Sequence, residues 1–180
     1  MNKIAIIYKS KYGSTKKYAQ WIANESHGDL LEVSEVEIKD LLLYNTVIFG
    51  GGLYASGING VSIITKNFER LKDKNIIVFT VGLASTDDID IFKPIIEKNF
   101  SNGMAERIKF FHFRGGIDYK NLSFTHKAMM AMLKKIVSKK KPDEMSKDDK
   151  DMLESYGKKV DFTNIDAIEP LIMYIKGLNK

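Results

Sequence analysis

Cysteine is absent from the 180 residues. Its absence excludes a disulfide framework, thiol catalysis and thiolate metal sites. No apolar run approaches the ~20 residues that span a bilayer. Two common nucleotide loops are missing as well, since neither GxxxxGK[ST] nor GxGxxG occurs. The three histidines, His27, His112 and His126, are scattered without metal-ligand spacing. His112 reads as a strand residue with a satisfied ring. No charged-then-apolar leader precedes the first apolar run, so the expected location is cytoplasmic.

What is present fits a globular chain with room for a real core: 44% hydrophobic and 28% charged residues. We expect one domain spanning residues 1–180. The net charge of +5 is compatible with nucleic acid, anionic lipid or an acidic partner.

The most informative stretch is the first. Ile4, Ala5, Ile6, Ile7 and Tyr8 form a short apolar run rich in β-branched residues, as in a strand buried on both faces of a parallel sheet. Ser10–Thr15 carries three hydroxyls and one glycine. Thr15, Tyr18, Ala19, Ile22 and Ala23 then recur at helical spacing, so a helix starts near Ser14 or Thr15. A helix N-terminus offers unpaired N–H groups and partial positive charge, which suits a small anion. Uncharged hydroxyls at Ser10, Ser14 and Thr15 suit a terminal phosphate monoester. An ordinary strand-to-helix turn capped by Ser or Thr is the competing reading.

Tyr8-x-Ser10-x-x-Gly13-x-Thr15-x-x-x-Ala19 resembles the signature of the flavodoxin family. The resemblance implies that this loop holds the phosphate of flavin mononucleotide (FMN). It assigns Ser10, Lys11, Tyr12, Gly13, Ser14 and Thr15 to the cofactor.

Further along, Leu30, Leu31 and Val33 read as a second strand. Ser34 and Glu37 resemble a capping box opening a short helix to about Leu42. Thr46–Phe49 is a third strand, ending in Gly50, Gly51 and Gly52. Val61, Ile64, Phe68 and Leu71 predict a crossover helix, Ile76–Val81 a fourth strand ending at Gly82, and Ile108–Phe113 a fifth. Pro94 suits the first turn of a helix running to Phe100. The alternation argues an α/β doubly wound parallel sheet. The resemblance implies five strands in the flavodoxin-like order 2-1-3-4-5. Ligands in such sheets sit beyond the carboxyl ends of the strands. The loops leaving those ends are Ser10–Thr15, Gly50–Gly60 and Gly82–Asp88.

If the first loop holds phosphate, the other two flank the flavin ring. Gly50, Gly51 and Gly52 present backbone amides to the ring edge, and Tyr54 is an aromatic neighbour, with capping of the core edge as its alternative. The expected ring-binding set is Gly52, Leu53, Tyr54 and Ala55 on one side and Leu83, Ala84 and Ser85 on the other. Asp87 and Asp88 read as solvated loop or helix-start residues. The redox chemistry would belong to the flavin, with no protein nucleophile or metal needed.

After the fifth strand an insert intervenes, from Gly115 to about Lys147. It contains a basic amphipathic helix within 122–141. Met129, Met132, Leu133 and Ile136 fall on one face; Lys127, Lys134, Lys135 and Ser138 fall on the other. Between Lys109 and Lys141 the only acidic residue is Asp118. Two readings stand side by side: methionines packed on the core, and contact with an anionic membrane surface. Lysines without paired aromatics or arginine forks speak against nucleic acid. In the tail, Ser146–Asp149 precedes a modest helix ending near Gly157. Thr163 is the candidate cap of a last helix that either kinks or starts at Pro170.

Arg114–Ser123 followed by Met129 and Met130 is similar to the flavodoxin-type, menaquinone-dependent protoporphyrinogen IX dehydrogenases. That branch usually carries basic and histidine residues after strand 3, where this chain has Leu53-Tyr-Ala-Ser-Gly57. The expected function is an FMN oxidoreductase acting with a quinone or another redox partner. The alternatives are a flavodoxin-type electron carrier and a flavin-free membrane-surface or regulatory module.

Overall fold

The computed structural model describes residues 3–87 and 89–178. Asp88, expected in a solvated loop, lies outside the described residues. The apolar run at the start forms β1 (Ile4–Lys9), and the hydroxyl-rich turn leads into α1 (Ser14–Ser26). Four more strands lie parallel to it: β2 (Asp29–Glu32), β3 (Thr46–Tyr54), β5 (Asn75–Gly82) and β6 (Ile108–Arg114). Their order is β2-β1-β3-β5-β6, the doubly wound 2-1-3-4-5 arrangement. A short β4 (Gly57–Ile58) folds back antiparallel on β3.

Alternate residues of each strand feed opposite faces, which is why both faces carry helices. Ile4, Ile6 and Tyr8 join Tyr18, Ala19 and Ile22 of α1 and Leu171, Ile172 and Ile175 of α8 (Glu169–Gly177). Ala5 and Ile7 join Val47, Phe49, Ile76, Val78 and Leu41 on the other face. The turn between β1 and α1 thus leaves the sheet between β1 and β3, where the chain switches direction.

Local departures have local causes. The expected capping box at Ser34 and Glu37 forms one turn later. Val33–Glu35 makes a 3-10 turn, and Glu37 with Asp40 then caps α2 (Ile38–Leu41). The crossover helix expected from Val61 breaks into α3 (Ser62–Thr65) and a 3-10 turn at Phe68–Leu71. Between them the Asn67 side-chain amide takes the Ile63 carbonyl at 3.0 Å, a partner the helix backbone would otherwise use. Ile64, Phe68 and Leu71 are buried as their spacing requires. Pro94 sits in the first turn of α4 (Lys93–Asn99), and α5 (Asn102–Ala105) follows. Pro170 does the same in α8, so that helix starts there rather than kinking. Asn164, not Thr163, caps the turn ahead of it.

The insert is a structured excursion. β7 (Gly116–Asp118) pairs antiparallel with β8 (Lys159–Asp161), so the excursion closes at 161 rather than near 147. Between them lie α6 (Phe124–Val137), capped by Ser123, and α7 (Lys147–Ser155), whose expected start forms a true capping box of Ser146 and Asp149. A third apolar cluster holds it down: Ile117, Tyr119 and Leu122 pack with Tyr12, Leu83 and Met130. Arg114 ties α7 to the sheet, its Nη2 lying 2.8 Å from Asp151 Oδ2. The face of α6 expected to pack on the core, Met129, Met132, Leu133 and Ile136, is instead the exposed one, and Met130 from beside it packs in the cluster. Met132 is 67% exposed and Ile136 52%, while Val137 is buried.

Candidate functional site

At the head of α1, Gly13 is the N-cap residue with φ 97°, a left-handed value that glycine adopts without strain. Ser10 Oγ accepts the Gly13 N–H at 3.1 Å. Ser14 Oγ accepts the Gly116 N–H, also at 3.1 Å. Each hydroxyl therefore accepts a backbone N–H and keeps its own hydrogen to donate. Thr15 is buried beside them. No acidic residue stands in the first turn of α1, so its positive end is unopposed there.

A cleft of about 150 Å³ opens from this point along the carboxyl ends of the strands. Of the residues expected to bind cofactor, Ser10, Tyr12, Ser14, Thr15, Gly52, Leu53, Tyr54, Ala55 and Leu83 line it. Lys11 does not; it faces an adjoining cavity of about 630 Å³ that shares Tyr12, Ser14, Gly116 and Ile117 as a wall. Gly13 serves as the backbone pivot, and neither it nor Ala84 nor Ser85 lines the cleft. The Ser85 N–H is taken by Asp148 Oδ1 of α7 at 2.9 Å. Asp87 points away and pairs with Lys147.

The glycine run does something other than expected. Gly50 and Gly51 lie inside β3, registered against Tyr8 and Lys9 of β1 and against Phe79 and Thr80 of β5. A Cβ on Gly50 would come within 2.1 Å of the Phe79 ring, and one on Gly51 within 2.8 Å of the Asn59 carbonyl oxygen. These two glycines admit close packing of the core, and only Gly52 reaches the cleft. Beyond it, Ala55 and Ser56 turn β3 into β4 with φ 49° and 63°. A two-residue hairpin with both φ values positive favours Asn or Gly, so this turn is strained. Lys98 and Asn99 of α4 hold it, donating to the Ala55 and Ser56 carbonyls at 3.0 and 2.8 Å.

The insert supplies the walls that sequence reasoning missed: Gly115, Gly116, Ile117, Leu122, His126, Met129 and Met130. His126 Nδ1 lies 2.7 Å from the Tyr12 hydroxyl oxygen. Its ring stacks on Tyr54 with centroids 4.7 Å apart and planes 21° from parallel. The Ser123 cap three residues before His126 is the one local signal that fixed its place at a helix start.

Burial pushes the Tyr54 hydroxyl up to about 12, with the neighbouring Tyr12 adding to it. Burial acts upward on Tyr12 too, but hydrogen bonds with Ser123 and the Lys11 charge outweigh it and lower its pKa. His126 is held below the ordinary histidine value, first by burial and then by Lys11. Among the described residues, no carboxylate, lysine or arginine lines the smaller cleft.

A doubly wound sheet with a neutral, hydroxyl-lined anion seat at its switch point and an apolar cleft beyond defines a mononucleotide-binding α/β protein. A sequence model of the flavodoxin domain matches residues 5–145, and the chain belongs to that family. It is accordingly a flavin-binding electron-transfer protein, and its cofactor is FMN. The seat fits the phosphate, since two hydroxyls retain a hydrogen to donate. The uncharged cleft between Tyr54 and Leu83 fits an apolar ring system.

Among curated proteins, none matches this sequence. Solved structures of similar fold include a two-electron reduced flavodoxin from Megasphaera elsdenii (15% identity, TM-score 0.44, covering 61% of this chain and 82% of that one). A flavoprotein in complex with FMN from Lactobacillus acidophilus is similar at 15% identity and TM-score 0.44, covering 63% and 93%. Rubredoxin oxygen:oxidoreductase from Desulfovibrio gigas is similar at 13% identity and TM-score 0.48, covering 98% of this chain and 37% of that one.

Proposed function

We propose that this chain is an FMN-dependent oxidoreductase that delivers electrons to a neutral, largely apolar acceptor of quinone type. The observation that carries the reading is the insert wall. Leu122, Met129 and Met130 close the cleft with uncharged side chains, one of which, Met129, is also 40% exposed at the surface. A plain electron carrier has no use for an apolar wall that leads outward from the cofactor. Bound FMN supplies the redox chemistry. Ser10, Ser14 and Thr15 hold its phosphate, Tyr54 and Leu53 position its ring, and the insert excludes water from the reacting edge.

A porphyrinogen donor of the protoporphyrinogen type is the finer reading suggested by the sequence resemblance. Its propionates need cations. The β3–β4 hairpin offers none, whereas Lys11 and Lys159 line the adjoining cavity. The reading is tested on FMN-loaded protein reduced anaerobically and mixed with a short-chain quinone. Rapid two-electron reoxidation is expected. Reoxidation that requires a one-electron protein acceptor supports the carrier instead. A colourless protein that ignores added FMN removes both.

A second observation favours contact with a membrane surface. Met129, Met132, Leu133 and Ile136, which share one face of α6, are 40–67% exposed, and Phe124 at its start is 88% exposed. Lys135, Lys139 and Lys141 are exposed along the same stretch. An amphipathic helix with this pattern lies in the interface of anionic lipid. Among the described residues, no helix is long and apolar enough to cross a membrane.

A further inference from the structure

Three rings from distant parts of the chain meet at the cleft. Tyr12 comes from the turn before α1, Tyr54 from the end of β3 and His126 from the first turn of α6. Tyr12 lies edge-on to both of the others, with centroids 6.2 Å from Tyr54 and 5.5 Å from His126. We propose that His126 is the proton-carrying residue of the flavin site, presented by the insert and held in its Nε2–H form by Tyr12. This rests on FMN occupying the cleft, as above.

Delivering a pair of electrons to a quinone-type acceptor also delivers protons. Among the described residues, the titratable groups lining the cleft are Tyr12, Tyr54 and His126. Tyr54, pushed up to about 12, is too weak an acid to give its proton near neutrality. The neutral His126 ring gives up its Nε2 proton in concert with taking one at Nδ1, and the Tyr12 hydroxyl 2.7 Å away supplies that second proton.

The contacts of the Tyr12 hydroxyl favour one tautomer of His126. Tyr12 Oη already accepts the Ser123 N–H at 3.2 Å. Its own hydrogen has two candidate acceptors: His126 Nδ1 at 2.7 Å and Ser123 Oγ at 3.4 Å. Ser123 Oγ already accepts from the Lys11 ammonium and from the His126 N–H, both at 3.4 Å, so the Tyr12 hydrogen goes to Nδ1, where an O–H bond at 2.7 Å is near ideal. Nδ1 is then the acceptor, and the proton of the neutral ring sits on Nε2.

The groups facing the ring are Tyr12 and Lys11 from the turn, and Tyr54 from β3. Lys11 disfavours a positive imidazole, and among the described residues no carboxylate bonds to the ring to oppose it.

The protons balance. The Nε2 proton passes to a basic atom of the acceptor in the cleft, and Nδ1 takes the Tyr12 hydroxyl proton. The phenolate left behind is stabilised by the Ser123 N–H and the nearby Lys11 charge, and it regains a proton from water. Tyr12 acts through His126 and is a positioning residue.

The test uses the full chain with 15N-labelled histidine. Long-range 1H–15N spectra of the protein without FMN should show His126 with Nδ1 bare and Nε2 protonated. Saturating FMN, with occupancy read separately by flavin fluorescence, should shift the His126 Nε2 signal. Tyr12→Phe should convert His126 to a mixture of tautomers. In FMN-loaded His126→Gln, quinone reoxidation should slow at least tenfold and lose its dependence on a group titrating below 6.5. Bound FMN with unmoved His126 signals, or an unchanged pH profile in His126→Gln, overturns the proposal while leaving the flavin reading intact. Failure to bind FMN overturns both. Should His126→Gln fold poorly, the spectra of the unmutated chain and of Tyr12→Phe still decide.

Discussion

Ser14 Oγ accepts the Gly116 N–H at 3.1 Å, joining the first turn of α1 to the first residue of the insert strand β7. The hydroxyl-lined turn and the insert are therefore built on each other. Replacing both Ser14 and Thr15 with alanine removes two hydroxyl donors to a charged group, each contributing roughly 1.5–3 kcal/mol. FMN affinity should fall by about 100-fold or more in a fluorescence-quenching titration. An affinity unchanged in the double variant would count against this loop as the phosphate seat.

Arg114 makes several contacts that hold the third loop in place. Its Nε donates to the Leu83 carbonyl at 3.0 Å, its Nη2 bonds Asp151 at 2.8 Å, and its guanidinium lies 3.9 Å over the Phe162 ring. Arg114→Ala should destabilise the protein by about 2 kcal/mol, as expected for a partly buried charged hydrogen bond with its partner left behind. Arg114→Lys should recover less than half of that, because a lysine cannot fork. Urea midpoints give the stabilities, and faster proteolytic cutting in 146–155 reports the release of α7.

The strained β3–β4 turn offers a gain. Ala55 at φ 49° costs about 1 kcal/mol in the left-handed region. Ala55→Gly should raise stability by roughly 0.5–1 kcal/mol, measured by thermal unfolding. A drop in midpoint would show that the Ala55 methyl makes contacts outweighing the strain.

On the outer face of α6, Met132→Glu combined with Ile136→Glu should leave folding within about 0.5 kcal/mol, because both side chains are exposed. The same change should abolish sedimentation with vesicles rich in phosphatidylserine at low salt. Binding by the unaltered protein should weaken as salt rises. No binding to anionic vesicles at low salt would remove the membrane reading.

His112 gives the fold a pH dependence of definite sign. Its Nδ1 lies 2.6 Å from Thr80 Oγ1, and its ring stacks on Phe92 at 3.8 Å. Burial lowers its pKa from 6.5 to about 4. The neutral ring is favoured in the folded state, so its contribution is fully present above pH 6.5 and is lost as pH falls from there to about 4. After allowance for partial exposure the loss is on the order of 2 kcal/mol. His112→Phe should flatten that part of the stability profile relative to the unaltered protein. Parallel profiles for the two would refute the assignment.

Much of the architecture was legible in the chain. The runs at Ile4–Tyr8, Thr46–Phe49 and Ile76–Val81 are apolar because their strands are covered on both faces, and a continuous run cannot be hidden in any other short element. The helical spacing of Thr15, Tyr18, Ala19 and Ile22 marked the buried side of α1, and every one of them is buried. The helix start after Ser146–Asp149 was legible because the signal lies within four residues, and a capping box of Ser146 and Asp149 forms there. The one at Ser34 misled, because an equally good acid pair lay one turn on, at Glu37 and Asp40.

The amino-acid order by itself determined the alternation of strand and helix and the hydroxyl-rich turn at the head of α1, since both are written in contacts spanning only a few residues. Tertiary structure alone decided the rest of the cleft. It turned Gly50 and Gly51 from ring ligands into packing sites for Phe79 and Asn59. It set His126 against Tyr12 and Tyr54, and it left Met132 and Ile136 facing outward. The physical reason is separation along the chain. Tyr12 and His126 stand 114 positions apart, and no local periodicity encodes which segment an insert will fold against.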